Sequence, residues 1–453
     1  MKKRLISTIF AILLCAGGYA SPRYIFFFIG DGMGLGHIMA TENYRRMALG
    51  LREPMIMLTM PHAGIVTTYS ASSPVTDSAA AGTALACGQK TSNRVIGINH
   101  DGDTLMSIAG ILHRKGYGVG LVTSVAPDDA TPAAFYAHVN DRSLFDDIAS
   151  DAIESGYEFI AGANLRGSSS NYDRFCSAGI TVARGAEECR GADTRRVLLL
   201  NTDSVQLNDI GYALDSVKSS MNLPEMTRLC MDHLLKHSSD KFFMMVEGGS
   251  IDHAAHSNDG AAVIKEIISF DQALRHAYDF YLAHPDETVI IVTSDHDTGG
   301  MATVSNGGGL ETVDVQKMSK DRLNDLINSR VASGQRISWD DMADLLVEQF
   351  DIGSGIKMTA DEEERLRQSF ARSFGREASS QHLTTYSSYS EFIDVLFDVL
   401  NAHMSIKWIT DEHTANPVGV FAVGEGTETL GRMIDNTEIY DWLMDRIIRD
   451  VRP

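Results

Sequence analysis

The sequence predicts an α/β fold: a doubly wound, mostly parallel sheet sandwiched by helices, with an inserted helical subdomain. Three observations predict it. The runs 24–29, 118–123, 242–246, 289–293 and 418–423 are short and almost wholly apolar, as strands buried on both faces are. The segments between them are long enough for the crossover helices that parallel strands need. Across residues 301–404 the strand pattern gives way to amphipathic helix signatures.

The chain opens with a segment of another kind. Lys2, Lys3 and Arg4 precede a mostly apolar stretch from Leu5 to Leu14, and Gly18-Tyr19-Ala20 is a small-x-small site. That is a cleavable export signal, with cleavage expected before Ser21 and a secreted or periplasmic mature chain. A lipoprotein signal ending at Cys15 is the competing reading, and bulky Leu14 before the cysteine opposes it. A core helix is opposed by Ser21-Pro22, which interrupts the segment before a strand. Beyond residue 20 no apolar run is long enough to span a bilayer. The net charge of −21 becomes −24 without Lys2, Lys3 and Arg4. Such an excess of acid argues against nucleic acid as a specific partner and against anionic membranes. Anionic substrates remain open to an acidic protein if bound metal ions reverse the local field.

Taken in order, the strands end in chemistry. The first run is followed by Gly30 and Asp31. A strand-like 65–69 and a loop with Pro74 lead to Thr76-Asp77-Ser78, which opens an Ala-rich helix. Ser78 then sits where free backbone N–H groups favour an anion, although an N-cap explains the motif as well when taken alone. After the run 118–123 comes Asp129-Ala130-Thr131-Pro132, a hydroxyl and carboxylate set suited to a hard cation, with Arg142 farther on. Arg142 suits a bidentate phosphate clamp or a plain surface charge. The third run ends in Glu247, and Asp252 and His256, four residues apart, share a helix face. Carboxylate plus imidazole suits zinc. The fourth run leads directly to Asp295-His296, and His413 stands just before the fifth. One acid after a strand is often a helix cap. Three strand ends carrying metal-ligand types fit better with a site at the carboxyl edge of an open sheet.

Within 301–404, Thr359 with Glu362 is a capping box ahead of Leu366, Phe370 and Phe374. Ser338 precedes Met342, Leu345 and Leu346 in the same way, and Phe392, Val395, Leu396 and Val399 form a third stripe. These stripes read as core contacts. Four cysteines follow the signal: Cys87, Cys176, Cys189 and Cys230. Cys87 lies in the Ala-rich helix pattern and reads as a buried thiol. Cys176 and Cys189 close a short polar segment and are the pair expected to form any disulfide in an exported chain.

Together the motifs resemble the alkaline phosphatase family. They are the Asp31-Gly-Met-Gly turn, Asp77-Ser78-Ala79, Asp129-Ala-Thr131-Pro with Arg142, Glu247-Gly-Gly-x-Ile-Asp252 with His256, Asp295-His296 and His413-Thr414. The resemblance covers 21–300 and again the stretch around 405–425; it implies a catalytic domain of 21–300 and 405–453, and 301–404 lies where the family carries insertions. It implies hydrolysis of phosphate monoesters by two zinc ions and one magnesium ion, through a phosphoserine intermediate on Ser78. By resemblance Asp252, His256 and His413 hold one zinc, and Asp31, Asp295 and His296 hold the other. Asp31 bridges to a magnesium ion held by Thr131 and Glu247, and Arg142 clamps the phosphoryl oxygens. Asp129 and His253 fall at positions where the family varies; Asp129 is expected to support the third metal and His253 to contact phosphate. The resemblance also implies a homodimer. A phosphodiesterase or sulfatase of the same superfamily is the alternative enzyme. A zinc-binding protein without turnover is the alternative of another class, and it would need neither Ser78 nor Arg142.

Overall fold

The computed structural model describes residues 21–201, 210–215, 221–238, 240–305, 307–375 and 381–448. The export signal, with its cleavage site before Ser21 and Cys15, lies outside the described residues. Ten strands form one sheet: β1 Tyr24–Ile29, β2 His62–Thr67, β3 Gly118–Thr123, β4 Phe159–Gly162, β5 Thr181–Arg184, β6 Val197–Leu200, β7 Phe242–Glu247, β8 Thr288–Thr293, β9 Val418–Val423 and β10 Met433–Asp435. Their spatial order is β10-β2-β9-β8-β1-β7-β3-β4-β6-β5. Strands β1, β3, β7, β8 and β9 are buried along their whole length, as the unbroken apolar runs require.

All neighbours pair in parallel except around β9, which runs antiparallel to both β8 and β2. The expectation that 418–423 is another parallel strand is therefore corrected. A run apolar on both faces carries no mark of direction. Here the chain enters β9 at the end of the sheet where β1, β7 and β8 finish, so it can only run back.

Alternate residues of each central strand face opposite cores. Phe26, Phe28, Met244, Val246, Ile290 and Val292 belong to one cluster. Ile25, Phe27, Ile29, Phe243, Met245 and Ile291 belong to the other. The first face is covered by helices Leu223–His237 and Gly260–Ala283, and the second by Ser78–Cys87, Ile108–Arg114 and Thr437–Ile448. Helices Lys320–Ala332, Trp339–Phe350, Ala360–Phe374 and Glu391–His403 extend the first cluster through Leu323, Leu346, Leu366 and Phe392. Both helix starts read as capped are capped: Ser338 pairs with Asp341 and Thr359 with Glu362 in reciprocal boxes.

The four cysteines are thiols. The expected Cys176–Cys189 bridge is absent: Cys176 faces solvent from helix Ser170–Ser177, whereas Cys189 is buried in the first core. Burial pushes the Cys87 thiol up to about 12 and that of Cys189 to about 11.

Candidate active site at the carboxyl edge of the sheet

Adjacent strands deliver their ligands to one spot because parallel strands in register end together. Ile29 of β1 pairs with Glu247 of β7 and with Thr293 of β8, and Thr123 of β3 pairs with Glu247. Asp31, Glu247 and Asp295 therefore leave the sheet side by side. The turn after β1 is tight. Gly32 has φ of +67°, and a Cβ there would lie 2.7 Å from Asp252 Oδ1. At Gly34 a Cβ would lie 1.7 Å from Asp297 Oδ1. Only glycine admits these carboxylates so close to the backbone.

Two groups of side chains converge. Asp252, His256 and His413 form one, and Asp31, Asp295 and His296 the other; within each group the ligand atoms all lie within 4.8 Å of one another. The imidazole tautomers are legible from their partners. His256 Nδ1 faces the Asp411 carbonyl and His413 Nδ1 the Thr76 carbonyl at 2.9 Å. A carbonyl can only accept, so each Nδ1 carries the proton and each Nε2 presents a lone pair. Those two Nε2 atoms face each other at 3.0 Å, with Asp252 Oδ2 3.4 Å from the His256 one. His296 behaves likewise. Thr298 donates its hydroxyl to Asp252, leaving its oxygen to accept from His296 Nδ1 at 3.2 Å. His296 Nε2 then points its lone pair at Asp295 Oδ2 (3.3 Å), Asp31 Oδ1 (3.5 Å) and Ser78 Oγ (3.2 Å).

The electrostatics agree. Burial, then the neighbouring charges of Asp295, Asp252 and Glu247, pushes Asp31 well above the usual carboxylate range. Burial raises Glu247 to about 8 and Asp295 to about 6. Burial also lowers His256 and His296, keeping the rings neutral. Among the described residues, buried oxygens Asp31 Oδ1, Asp295 Oδ2 and Glu247 Oε2 have no hydrogen-bond partner. Uncompensated buried carboxylates facing neutral imidazole lone pairs are a poor protein interior and a good cation site. The donor sets fit the expected metals: nitrogen and oxygen in the two groups, oxygen alone where Thr131 Oγ1 reaches Asp31 Oδ2 at 3.3 Å beside Glu247.

Ser78 is the first residue of its helix. Asp77 is the N-cap, accepting from Ala80 N at 3.0 Å and from Arg94 N at 2.9 Å. Arg142 Nη2 donates to Asp129 Oδ1 at 3.0 Å, and its Nη1 lies 3.5 Å from Asp77 Oδ2. Burial would raise Asp129, but Arg142 and Arg166, followed by His253, hold it well below the usual carboxylate range. Of the residues expected at the site, Arg142 and His413 line a cleft of about 530 Å³, together with Thr76, Asp77, Arg166 and Tyr386.

Two side chains escaped the sequence reading. Arg166 Nη1 donates to Asp129 Oδ2 at 2.9 Å. It follows the short strand β4, so the strand-end rule that found Asp31 would have found it had those four residues been read as a strand. Tyr386 comes from the loop between strands His382–Leu383 and Ser388–Tyr389. Its ring lies 3.9 Å from that of His253 and its hydroxyl donates to Asp252 Oδ2 at 3.2 Å. No periodicity marks it.

Comparison with known proteins meets this geometry. The family model described as "Alkaline phosphatase" matches residues 22–171 and 204–447. The chain belongs to the alkaline phosphatase family. It is therefore an enzyme, a phosphoric monoester hydrolase. Alkaline phosphatase 3 of Bacillus subtilis (strain 168) is 29% identical over 448 residues, covering 93% of this chain and 88% of that one. Alkaline phosphatase 4 of the same organism is 28% identical, covering 92% and 87%. Among solved structures, the cold-active alkaline phosphatase of Shewanella sp. matches with a TM-score of 0.78 at 25% identity over 93% of this chain and 98% of that one. The Thermus thermophilus alkaline phosphatase matches with the same TM-score and identity over 94% and 91%. These two solved alkaline phosphatases thus share the fold seen here over most of each chain.

Proposed function

We propose that the chain hydrolyses phosphate monoesters to an alcohol and inorganic phosphate through a phosphoserine intermediate on Ser78, with two zinc ions and one magnesium ion. The observation that carries this reading is the position of Ser78 Oγ, at a helix N-terminus and 3.2 Å from His296 Nε2, at the edge of the Asp31, Asp295 and His296 group. Asp252, His256 and His413 would hold one zinc, and Asp31, Asp295 and His296 the other. Asp31, Thr131 and Glu247 would hold magnesium. When bound, the cations supply positive charge that offsets the phosphoryl group and acidifies coordinated hydroxyls.

The chain's own residues do the rest. Arg142 is oriented by Asp129 and Asp77, so its charged edge can meet two non-bridging phosphoryl oxygens. Ser78 Oγ attacks phosphorus, the P–O bond to the alcohol breaks and the alcohol departs with a proton. Water then attacks the phosphoserine, the P–Oγ bond breaks, and phosphate leaves as Ser78 regains its proton. The free N–H groups at the start of helix Ser78–Cys87 favour the anion through both steps.

The reading extends to context. The N-terminal segment supports export to the periplasm or medium, and the family supports a homodimer. No helix among the described residues is long and apolar enough to cross a membrane. Residues 301–404 are read as an inserted subdomain that hands Tyr386 to the site. Steady-state rates on p-nitrophenyl phosphate across pH, with and without chelator, test the function. Rates on an aryl phosphodiester and an aryl sulfate in parallel separate it from the other superfamily chemistries; faster turnover of either overturns it.

A further inference from the structure

The cleft beside Ser78 contains a second cationic side chain that the hydrolytic reaction leaves without a task. Arg166 is held by a pair of adjacent carboxylates that divide the work. Asp128 accepts the backbone N–H of Arg166 through both oxygens at 2.9 Å, and that of Gly167 at 3.0 Å. Asp129 accepts from the guanidinium through Nη1 at 2.9 Å. The guanidinium carbon lies over the Phe145 ring, 4.8 Å from its centroid. The backbone, one nitrogen and the packing on Phe145 therefore hold the side chain in place. Nη1 is the only guanidinium nitrogen of Arg166 with a hydrogen bond among the described residues. The Nε and Nη2 edge is the part of a guanidinium that takes a carboxylate or phosphate in bidentate fashion.

Arg166 belongs to a wall shared by two clefts. Arg166, Ser143 and Phe145 line the cleft that holds Arg142 and His413, and they also line a second, adjoining cleft of about 550 Å³. A substrate whose phosphoryl group sits on Arg142 would pass its other end over Arg166. Arg94, the remaining arginine of the first cleft, is already spent on Asp141 at 2.9 and 2.8 Å. Beyond Arg166 the second cleft turns acidic, with Asp146 and Asp147 in its wall. A long polyanion meets repulsion there, whereas one extra negative group stops at Arg166.

We propose that Arg166 binds a second anionic group of the substrate, so that the site favours small phosphate monoesters that also carry a carboxylate or a second phosphate. The proposal rests on the monoesterase reading of the same cleft. Glycerol 3-phosphate and 3-phosphoglycerate form the test pair, because they are of similar size and differ in the carboxylate. In the metal-loaded wild type, kcat/KM for 3-phosphoglycerate is expected to exceed that for glycerol 3-phosphate. In Arg166→Ala the ratio of the two should fall roughly ten- to hundredfold, the worth of a charge-assisted hydrogen bond. Arg166→Lys should retain part of the preference. Any shared change, through Asp129 or stability, cancels in the ratio. An unchanged ratio in Arg166→Ala, or a wild type that does not prefer the carboxylate substrate, overturns the proposal. A folded, metal-loaded wild type inert to both substrates instead overturns the hydrolase reading, and this proposal with it.

Discussion

At the scale of single residues, the site is organised by where protons cannot be. Three imidazoles have Nδ1 committed to an oxygen acceptor, so their Nε2 lone pairs converge with carboxylates that burial has left unpaired. Ser78 stands at the edge of that arrangement. Ser78→Ala should keep its fold and metal content, measured by elemental analysis, while kcat falls on the order of 10³-fold or more. Near-normal turnover would remove Ser78 from the mechanism. Asp129 faces the other way, sharing its two oxygens between Arg142 and Arg166. Asp129→Asn keeps the shape but loses the charge that orients both guanidiniums. KM for p-nitrophenyl phosphate should rise roughly tenfold, with zinc stoichiometry unchanged. Loss of magnesium instead would make Asp129 part of the third metal's support. The residues at strand ends were legible in the sequence because parallel strands in register deliver adjacent ligands. Arg166 was not, because Phe159–Gly162 is four residues long and half of it is Ala and Gly. Tyr386 was not, because a loop side chain placed by tertiary packing leaves no periodic trace.

At the scale of elements, the fan of β8, β1, β7 and β3 sets the site, and helix Gly260–Ala283 ties it to the helices beyond residue 310. The tie is Asp259. It caps the helix by accepting from Ala262 N at 3.0 Å, and it also accepts from Lys320 N and Gln316 Nε2, each at 2.8 Å. Lys320 Nζ in turn donates to the Ser257 carbonyl at 3.0 Å, one residue past His256. Asp259→Ala should lose a cap and strand three donors, two of them in another segment. Denaturant titration should show a loss of about 3 kcal/mol. A loss below about 1 kcal/mol would mean that water replaces the carboxylate and the tie is weak. The helical stripes of this region were legible from caps and spacing, as Thr359 with Leu366 shows. The direction of β9 was not, since an apolar run buried on both faces reads the same in either sense.

At the scale of the whole molecule, two cores sandwich one sheet, and an acidic chain gathers several of its carboxylates into one buried spot. Bound cations would relieve that concentration of charge. Chelation should therefore abolish activity and lower Tm by at least about 5 °C, with both restored by zinc plus magnesium. The loaded protein should contain about two zinc ions and one magnesium ion per chain. Full activity in a metal-free preparation would contradict the site assignment. Thiol reactivity checks the fold independently. At pH 8 the native mature chain should label fast at Cys176 alone, because Cys87, Cys189 and Cys230 are buried and burial raises their thiols. Absence of fast labelling at Cys176 would point to a disulfide. The central claim is that phosphate passes through Ser78, and acid quenching during turnover tests it most directly. Wild-type protein mixed with p-nitrophenyl phosphate, quenched in acid, digested and read by peptide mass spectrometry should carry phosphate on Ser78. Ser78→Ala should carry none. Phosphate on a different residue, or no phosphorylated peptide from wild-type protein quenched in acid while turning over, would contradict the account.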